Sequence, residues 1–395
     1  MIAIVILTLP RYVKTHQKEE INFAAFVEAI PETLENLDAP IEQASVEEEK
    51  DNSKYGDIIK DEEYLKENNI YLKEAAKEDS VSLCFCGDIL FDDEYAVMAA
   101  LIQRGGELSA SISEDTLKIM NDADIMVVNN EFPFNEGGTP TPNKQYTFRA
   151  DYSTAKYLND MGADVAILAN NHVYDFGEQG LLNTLTTVKN AGVIPAGAGQ
   201  NINEAARPVY FIVNDIKIAL VVATDMERLD IPDTKGATEN SPGVFRTWNS
   251  DMIYSVVETA KQNADFVVVC IHWGTEKEEQ PDYWQTVKAP LLAKAGADII
   301  IGDHPHVLQG VYYYDGVPCL YSLGNFWFNG READTGLFEI EVDKAGLKSF
   351  RIYPARQANF STKLVYDADK SNIINHMRNL SPQALIDDEG YISQK

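Results

Sequence analysis

The chain has 395 residues, enough for one large domain with appendages or for two domains. It is 45% hydrophobic and 24% charged, which is typical of a globular protein. Its net charge of −29 argues against nucleic acid as a partner, because phosphate backbones require a basic surface. The same charge disfavours docking on anionic lipid through a basic patch.

The first ten residues, MIAIVILTLP, are apolar but too short to cross a bilayer. A membrane-spanning helix needs roughly 20 apolar residues. We therefore interpret residues 1–10 as the end of a membrane anchor whose start lies upstream. A short hydrophobic tip is the alternative.

Residues 11–79 form a polar, acidic segment. Between Glu19 and Asp79 there are 19 acidic residues against 6 lysines. This composition predicts a solvated acidic stalk with some helix, at Ile21–Ile30 and Asp61–Lys77, where apolar residues recur at helical spacing. A helical subdomain packed on the core is the alternative.

Residues 80–357 have the pattern of an α/β domain, in which short apolar runs alternate with helical stretches and a later set of strands follows without helices. Asp315 and Gly316 stand between two of those strands, a strong hairpin signal. The four cysteines lie in apolar runs and are expected to be buried thiols. We expect two sheets packed face to face with helices outside, and a tail over residues 358–395 with one short helix at best. The predicted helices cover Ser113–Ala123, Ser153–Met161, Glu178–Ala191, Met252–Asn263 and Trp284–Ala295.

Five short polar motifs stand at the ends of apolar runs, and they hold four of the six histidines. Carboxylate, amide and imidazole groups at the carboxyl ends of several strands converge into one site, and they suit hard to borderline metal ions. The sequence therefore predicts metal chemistry. The motifs are CGD at Cys86–Asp88, VNNE at Val128–Glu131, ANNH at Ala169–His172, CIHWG at Cys270–Gly274 and IGDHPH at Ile301–His306.

The histidines of the last two motifs are candidate metal ligands. His304 and His306 flank Pro305, which stiffens the turn and fixes both rings just past a buried strand. His272 ends another apolar run, with Glu276 nearby as a candidate substrate contact. Asp88 and Glu131 add carboxylates at strand ends, where such groups are seldom buried without a partner or a metal.

The ANNH motif places amides and an imidazole where a strand meets a helix. Asn171 offers a hard oxygen ligand, and His172 is a candidate ligand or proton donor. Asp175 is close enough in sequence to orient the His172 ring. Asn170 is expected to contact the substrate; the alternative is that Asn170 or Asp175 only caps the following helix.

Two further residues are expected to contact a substrate. Arg149, in FRAD, is suited to bidentate capture of phosphate or carboxylate, with a surface salt bridge as the alternative. Asn325, in SLGNFWF, ends a strand beside a glycine turn and is expected to line the site.

At these motifs the chain resembles the CapA family of bacterial capsule and poly-γ-glutamate synthesis proteins, over roughly Ser80–Ala355. This family is similar to the calcineurin-like metallophosphoesterases, so the resemblance implies a four-layer α-β-β-α sandwich. The matching motifs are Gly87–Asp88, Asn129–Glu131, Phe148–Ala150, Asn170–His172, Gly197–Gly199, Ala205–Pro208, His272–Gly274, His304–Gln309 and Ser322–Phe326.

The resemblance also implies roles for the site residues. Asp88 would be a metal ligand and Glu131 a bridging carboxylate, while His172 would donate a proton with help from Asp175. Leu90 stands where the superfamily has a histidine, and Glu131 replaces the usual aspartate. We therefore expect one or two divalent ions, with Mn, Fe or Zn the best candidates. The remaining implied ligands are Asn171, His272, His304 and His306.

The expected function follows from the resemblance. It is a metal-dependent, hydrolase-like protein on the extracellular face of the cell membrane that serves synthesis or export of an anionic polymer, poly-γ-glutamate. Its partners would be the anionic polymer or a phosphoester, and membrane subunits of a capsule synthase. The alternatives are a non-catalytic, polymer-binding accessory subunit and a soluble metal-dependent phosphodiesterase.

Overall fold

The computed structural model describes residues 53–226, 234–248 and 251–395. The helices are α1 Glu62–Glu67, α2 Ala96–Gln103, α3 Glu114–Asp122, α4 Lys156–Asp160, α5 Gly177–Asn190, α6 Ile202–Ala205, α7 Met252–Asn263, α8 Tyr283–Ala295 and α9 Asp367–Leu380. The strands up to the middle of the chain are β1 Ile70–Leu72, β2 Val81–Ile89, β3 Ile125–Asn130, β4 Val165–Ile167, β5 Ile194–Ala196, β6 Ala198–Gly199, β7 Val209–Val213, β8 Ile216–Thr224 and β9 Gly243–Val244. The later strands are β10 Phe266–His272, β11 Ile299–Asp303, β12 Val311–Tyr314, β13 Val317–Leu320, β14 Asn325–Trp327, β15 Ala333–Asp343, β16 Gly346–Ala358, β17 Ser361–Leu364, β18 Ala384–Ile386 and β19 Ile392–Gln394.

Two large sheets form the core of the fold. One has the strand order β1-β7-β8-β10-β11-β13-β12, and the other has the order β17-β16-β15-β2-β3-β4-β5 with β14 paired to β2. The central strands of each sheet are parallel, and the hairpin strands of each are antiparallel.

The side chains of β10 show how the layers stack. Val267 and Val269 belong to the apolar cluster that includes residues of α7 and α8, whereas Val268 and Cys270 belong to the cluster shared with the second sheet. This period of two means that each face of the sheet buries its own apolar set. With α3 and α5 covering the second sheet, the predicted four-layer α-β-β-α sandwich is confirmed.

Two local predictions are also confirmed. Asp315 and Gly316 have φ values of +51° and +87° and join β12 to β13, as a tight hairpin requires. The four cysteines are free and buried.

The predicted stalk over residues 11–79 is wrong for the part of it that the structure describes. Helix α1 ends at Glu67, not at Lys77, and β1 then pairs in parallel with β7 at the edge of the first sheet. Leu65 and Ile70 are buried. An Asn-Asn turn with Asn69 at φ +57° ends the helix and allows the strand, so residues 53–72 pack on the domain as in the alternative reading. Residues 1–52, with the predicted anchor end and the helix at Ile21–Ile30, lie outside the described residues.

The predicted tail over residues 358–395 is also wrong. Strand β17 extends the second sheet, α9 runs for 14 residues, and β18 pairs with β19. Ile373, Ile374 and Met377 occupy one face of α9 and are buried in the core. The apolar residues recur at helical spacing, so the segment can bury a stripe and does not stay solvated.

Within the described ranges, none of the helices combines the length and the apolar character that crossing a membrane requires.

Candidate metal centre

The strand ends bring the polar motifs together. Asp88 on β2 lies beside Asn129 on β3, and His272 on β10 lies beside Asp303 on β11. Because the carboxyl ends of parallel strands share one edge of a sheet, the motifs of both sheets meet between the layers. The predicted convergence of the motif residues is confirmed in the geometry below.

Two glycines before aspartates are required by close backbone approach. A Cβ on Gly87 would lie 1.8 Å from the carbonyl oxygen of Gly324, and one on Gly302 would lie 2.1 Å from that of Tyr321. Neither position can hold a side chain without moving a neighbouring segment. The glycines therefore allow the backbone before Asp88 and before Asp303 to lie against the neighbouring segments at Gly324 and Tyr321.

Glu131 is the most unusual group in the centre. Its side chain is buried, and neither carboxylate oxygen has a hydrogen-bond partner among the residues that the structure describes. Burial and the charges of Asp88 and Asp303 raise its pKa well above the usual value. A buried carboxylate without a donor is costly unless it is protonated or binds a cation.

Imidazole nitrogens surround this carboxylate. Oε1 of Glu131 lies 3.7 Å from Nε2 of His272, 3.9 Å from Nε2 of His306 and 4.0 Å from Nε2 of His172. One ligand atom each from Glu131, His304 and His306 lie within 4.8 Å of one another. Ligands that share one ion are separated by such distances, since each bond is about 2.0–2.2 Å long.

Two of the imidazoles are held neutral and close together. Nδ1 of His304 lies 3.1 Å from Nε2 of His272, which lies 2.8 Å from Oδ1 of Asn171. Burial lowers the pKa of both histidines well below the usual value, and the neighbouring histidines lower them further. Neutral imidazole is the form that binds a metal. His304 also has a φ of +101°, a strained backbone of the kind found at functional sites.

Asp88 and Asn325 hold the ring of His306. Nδ1 of His306 lies 2.8 Å from Oδ2 of Asp88 and 2.9 Å from Oδ1 of Asn325, so its Nε2 faces Glu131. Burial lowers the pKa of His306, but Asp88, Glu276 and Asn325 together raise it more, with Asp88 contributing most, so the net shift is upward. The other oxygen of Asp88 accepts a hydrogen bond of 2.7 Å from Asn129. Asn325 therefore contacts the centre through His306.

His172 is oriented by a buried network. Its Nδ1 lies 2.7 Å from Oδ2 of Asp175, which also accepts a hydrogen bond from the backbone N–H of Phe148. Oδ1 of Asp175 forms a 2.6 Å ion pair with Lys144, whose side chain is also buried. Burial lowers the pKa of His172, and the charge of Asp175 only partly offsets this. The Nε2 atom is left facing Glu131 and the cleft.

Three predicted substrate contacts lie in different places. Asn170 is fully buried: its oxygen accepts from the backbone N–H groups of His172 and Val173, so it closes the turn and the predicted substrate contact is wrong. Arg149 pairs with Glu94 at 2.5 Å and does not line the cleft, as in the salt-bridge alternative. Glu276 does line it.

A cleft of about 450 Å³ opens onto His172 and His304. Sequence reasoning missed Lys144, Asn129 and Asp303, which belong to or adjoin the site. Lys144 lies in a loop without periodicity, so no pattern pointed to it. Asp303 precedes His304, and one of its buried oxygens has no partner among the described residues; its place in IGDHPH was an available signal. The residues around the cleft are Lys144, Gln145, Tyr146, Asn171, His172, Asp225, Met226, Trp248, Gly274, Thr275, Glu276, Asp282, Trp284, Gln285 and His304.

Leu90 is buried and apolar and supplies no donor at the position where the resemblance expects a histidine. The residues that remain fit a cation. The carboxylate of Glu131, which receives no hydrogen bond from the described residues, lies close to the neutral imidazoles of His272 and His304, and the amide oxygen of Asn171 lies next to His272.

Comparison with known proteins places the chain. Residues 82–330 match the family model described as "Bacterial capsule synthesis protein PGA_cap". The "PGA biosynthesis protein CapA" of Bacillus subtilis (strain 168) is 32% identical over 282 residues, which cover 70% of this chain and 72% of the relative. The "Capsule biosynthesis protein CapA" of Bacillus anthracis is 34% identical over 239 residues, which cover 58% of this chain and 57% of the relative. Among solved structures, the 5′-nucleotidase from Candida albicans SC5314 gives a TM-score of 0.36 at 9% identity, covering 69% of this chain and 54% of that one. The extent of the family match and the Bacillus subtilis relative show that the chain belongs to the PGA_cap family of bacterial capsule synthesis proteins.

Proposed function

We propose that this protein acts in the synthesis or export of an anionic capsule polymer, poly-γ-glutamate, through a metal-dependent, hydrolase-like site. Membership of the capsule synthesis family supports the polymer. One observation supports the metal: within the described part of the chain, no hydrogen-bond donor reaches the buried carboxylate of Glu131, which lies among imidazole nitrogens.

One divalent ion would be held by Glu131, His272, His304 and His306, with the oxygen of Asn171 beside them. Nitrogen and carboxylate donors of this kind suit Zn, Mn or Fe. Asp88 is either a further ligand or the group that orients His306; the 2.8 Å contact supports the second role directly. A bound ion would supply Lewis-acid activation of a polar bond or of water.

His172 is the proposed proton-transfer residue. Its Nδ1–H donates to Asp175, so its Nε2 is the atom that takes up or releases a proton at the cleft. Lys144 neutralises Asp175 and keeps that carboxylate in place. Such an arrangement serves cleavage or transfer at a phosphoester or an amide bond.

A non-catalytic accessory subunit is the second candidate, and Leu90 favours it. A site with one donor fewer binds a second ion weakly, so it can serve to hold polymer carboxylates and not to hydrolyse a bond. Loss of polymer synthesis in cells that carry His172→Ala would support the catalytic role. Retained synthesis in that strain, with synthesis lost on His304→Ala, would support the accessory role.

The first test is metal content per chain by mass spectrometry, on protein purified without chelator. We expect about one ion per chain in the parent protein. His304→Ala and Glu131→Gln should lose it, whereas His376→Ala should not, because His376 lies on α9 and faces Glu279 and Asp334. Metal-free parent protein, even after incubation with Mn, Fe or Zn, would contradict the proposal.

We further propose that the protein is associated with the cell membrane, on its extracellular face, through the apolar segment at residues 1–10. Fractionation of the native gene product tests this. Recovery of the protein in the soluble fraction would support the phosphodiesterase alternative.

A further inference from the structure

Several aromatic side chains line the cleft. Trp248, Trp284 and Tyr146 line it, and Tyr283 stands against Trp284 with ring centroids 5.2 Å apart. Trp248 and Trp284 meet edge to face at 5.7 Å. These rings form an aromatic rim, a name used below for Tyr146, Trp248, Tyr283 and Trp284.

Three of the four rings of the aromatic rim are exposed to solvent, unlike the aromatic side chains of the core. The exposed fractions are 68% for Tyr283, 54% for Tyr146 and 48% for Trp284. Large exposed rings beside a cleft are typical of binding surfaces. They leave a large apolar area in contact with water, and a ligand that covers them buries this area.

The charges of the cleft favour an uncharged ligand at the rim. Among the residues of the cleft that the structure describes, Glu276 and Asp282 carry negative charge, Asp225 is paired with Lys288, and only Lys144 carries an ammonium. Lys144 is bound to Asp175 and to the backbone oxygen of Asn171. Away from the proposed ion at the histidine centre, a polyanion at the rim would meet these carboxylates, and the one ammonium among the described residues of the cleft is already paired with Asp175.

The same carboxylates are hydrogen-bond acceptors for hydroxyl groups. Asp282 caps α8 through the backbone N–H of Gln285 and accepts a hydrogen bond from Thr275, yet each of its oxygens retains a second lone pair. Exposed flat rings next to acceptor oxygens match a pyranose, which offers apolar C–H faces and donor hydroxyls at its edge.

We propose that the aromatic rim is a saccharide subsite that binds a neutral pyranose ring of a glycan. His172, Asn171 and His304 line the same cleft, so the sugar would lie next to the histidine centre. The inference deepens the proposed function: it rests on that function for the chemistry at the centre, and it names the class of substrate or acceptor that carries the ring.

The test uses the full chain and an array of neutral and N-acetylated pyranose oligosaccharides, with γ-linked glutamate oligomers beside them. Affinity for each retained compound is then measured by calorimetry. We expect binding of at least one oligosaccharide, weakened tenfold or more by Trp284→Ala and by Tyr146→Ala. Tyr366→Ala is the matched control, since Tyr366 is an exposed aromatic that precedes α9 and binds Asp115.

Absence of oligosaccharide binding at millimolar concentration would overturn the subsite. So would an affinity that neither variant changes, or binding of the glutamate oligomers alone with the same dependence on Trp284. Metal content of Trp284→Ala separates the two proposals. If the metal content is unchanged and no oligosaccharide binds, only the saccharide subsite is contradicted. If the parent protein contains no metal ion, only the proposed metal centre is contradicted.

Discussion

Oε1 of Glu131 lies 3.7 Å from Nε2 of His272, and no donor from residues 53–226, 234–248 or 251–395 reaches either oxygen of that carboxylate. In a buried site this arrangement is unfavourable without a proton or a cation. We therefore expect Glu131 to lower the stability of the metal-free protein and to contribute to the affinity for a metal ion. Both effects can be measured.

Glu131→Gln tests it. Without metal the variant should be as stable as the parent or more so, because an amide replaces a carboxyl group that has no partner. With Zn or Mn at a hundredfold excess over Kd, the parent should gain about 2.7 kcal/mol, and the variant should gain little. Thermal unfolding with and without chelator measures both effects.

Glu94→Gln is the matched control for that experiment. Glu94 is an exposed carboxylate paired with Arg149, outside the cleft, so its variant should keep the full metal-dependent shift. An equal shift in Glu131→Gln and in the parent would show that Glu131 does not hold the ion.

The site was largely predictable because its residues stand at strand ends. Asp88, Glu131, His272 and His304 each follow an apolar run, and the topology of parallel sheets brings such positions together. Lys144 was not predictable in this way, since it reaches the site from a loop whose path depends on tertiary packing. Asn170 was misassigned because a turn-closing amide and a substrate-binding amide look alike in sequence.

The two ends of the described chain show the same limit. The acidic composition around β1 suggested a solvated segment, yet Ile70 is buried and β1 completes the edge of a sheet. When charge is averaged over a long segment, the few apolar residues in it that pack into the core do not affect the prediction. In α9 the apolar stripe of Ile373, Ile374 and Met377 is short. The sequence alone does not show that it is buried, because its burial depends on packing against the core.

Lys144→Met should destabilise the protein strongly. It would leave Asp175, which is fully buried, without its ion-pair partner, and breaking a buried pair in this way costs about 3–5 kcal/mol. Lys118→Met is the control: its pair with Asp122 is exposed, so the loss should be about 0–1 kcal/mol. Urea unfolding of both variants decides the matter, and equal small losses would mean that Asp175 finds another partner.

Ile70→Ala and Leu65→Ala test whether the segment before residue 80 is part of the domain. Both side chains are buried, so each truncation should cost about 2–4 kcal/mol. Leu72→Ala, on the same strand but 48% exposed, should cost less than about 0.5 kcal/mol. Denaturant midpoints give the comparison. If all three variants unfold at the parent's midpoint, β1 contributes nothing to the stability of the domain.

Asp92 gives the stability of the protein a pH dependence that can be isolated. Burial raises its pKa to about 6, and the charges of Asp93 and Glu94 act in the same direction, against hydrogen bonds from the backbone N–H groups of Arg149 and Glu94. The folded state therefore holds this proton more tightly than the unfolded chain, and the stability from it is lost as the pH rises through about 6. Relative to Asp92→Asn, the parent should lose about 1 kcal/mol between pH 5 and pH 7.5. Asp92→Asn also loses one hydrogen-bond acceptor, which changes its free energy of unfolding by the same amount at every pH. The test is therefore how the difference in unfolding free energy between the parent and the variant changes with pH. Urea titrations of both proteins at several pH values measure it, and a difference that stays flat across this range would show that Asp92 is ionised in the folded protein throughout.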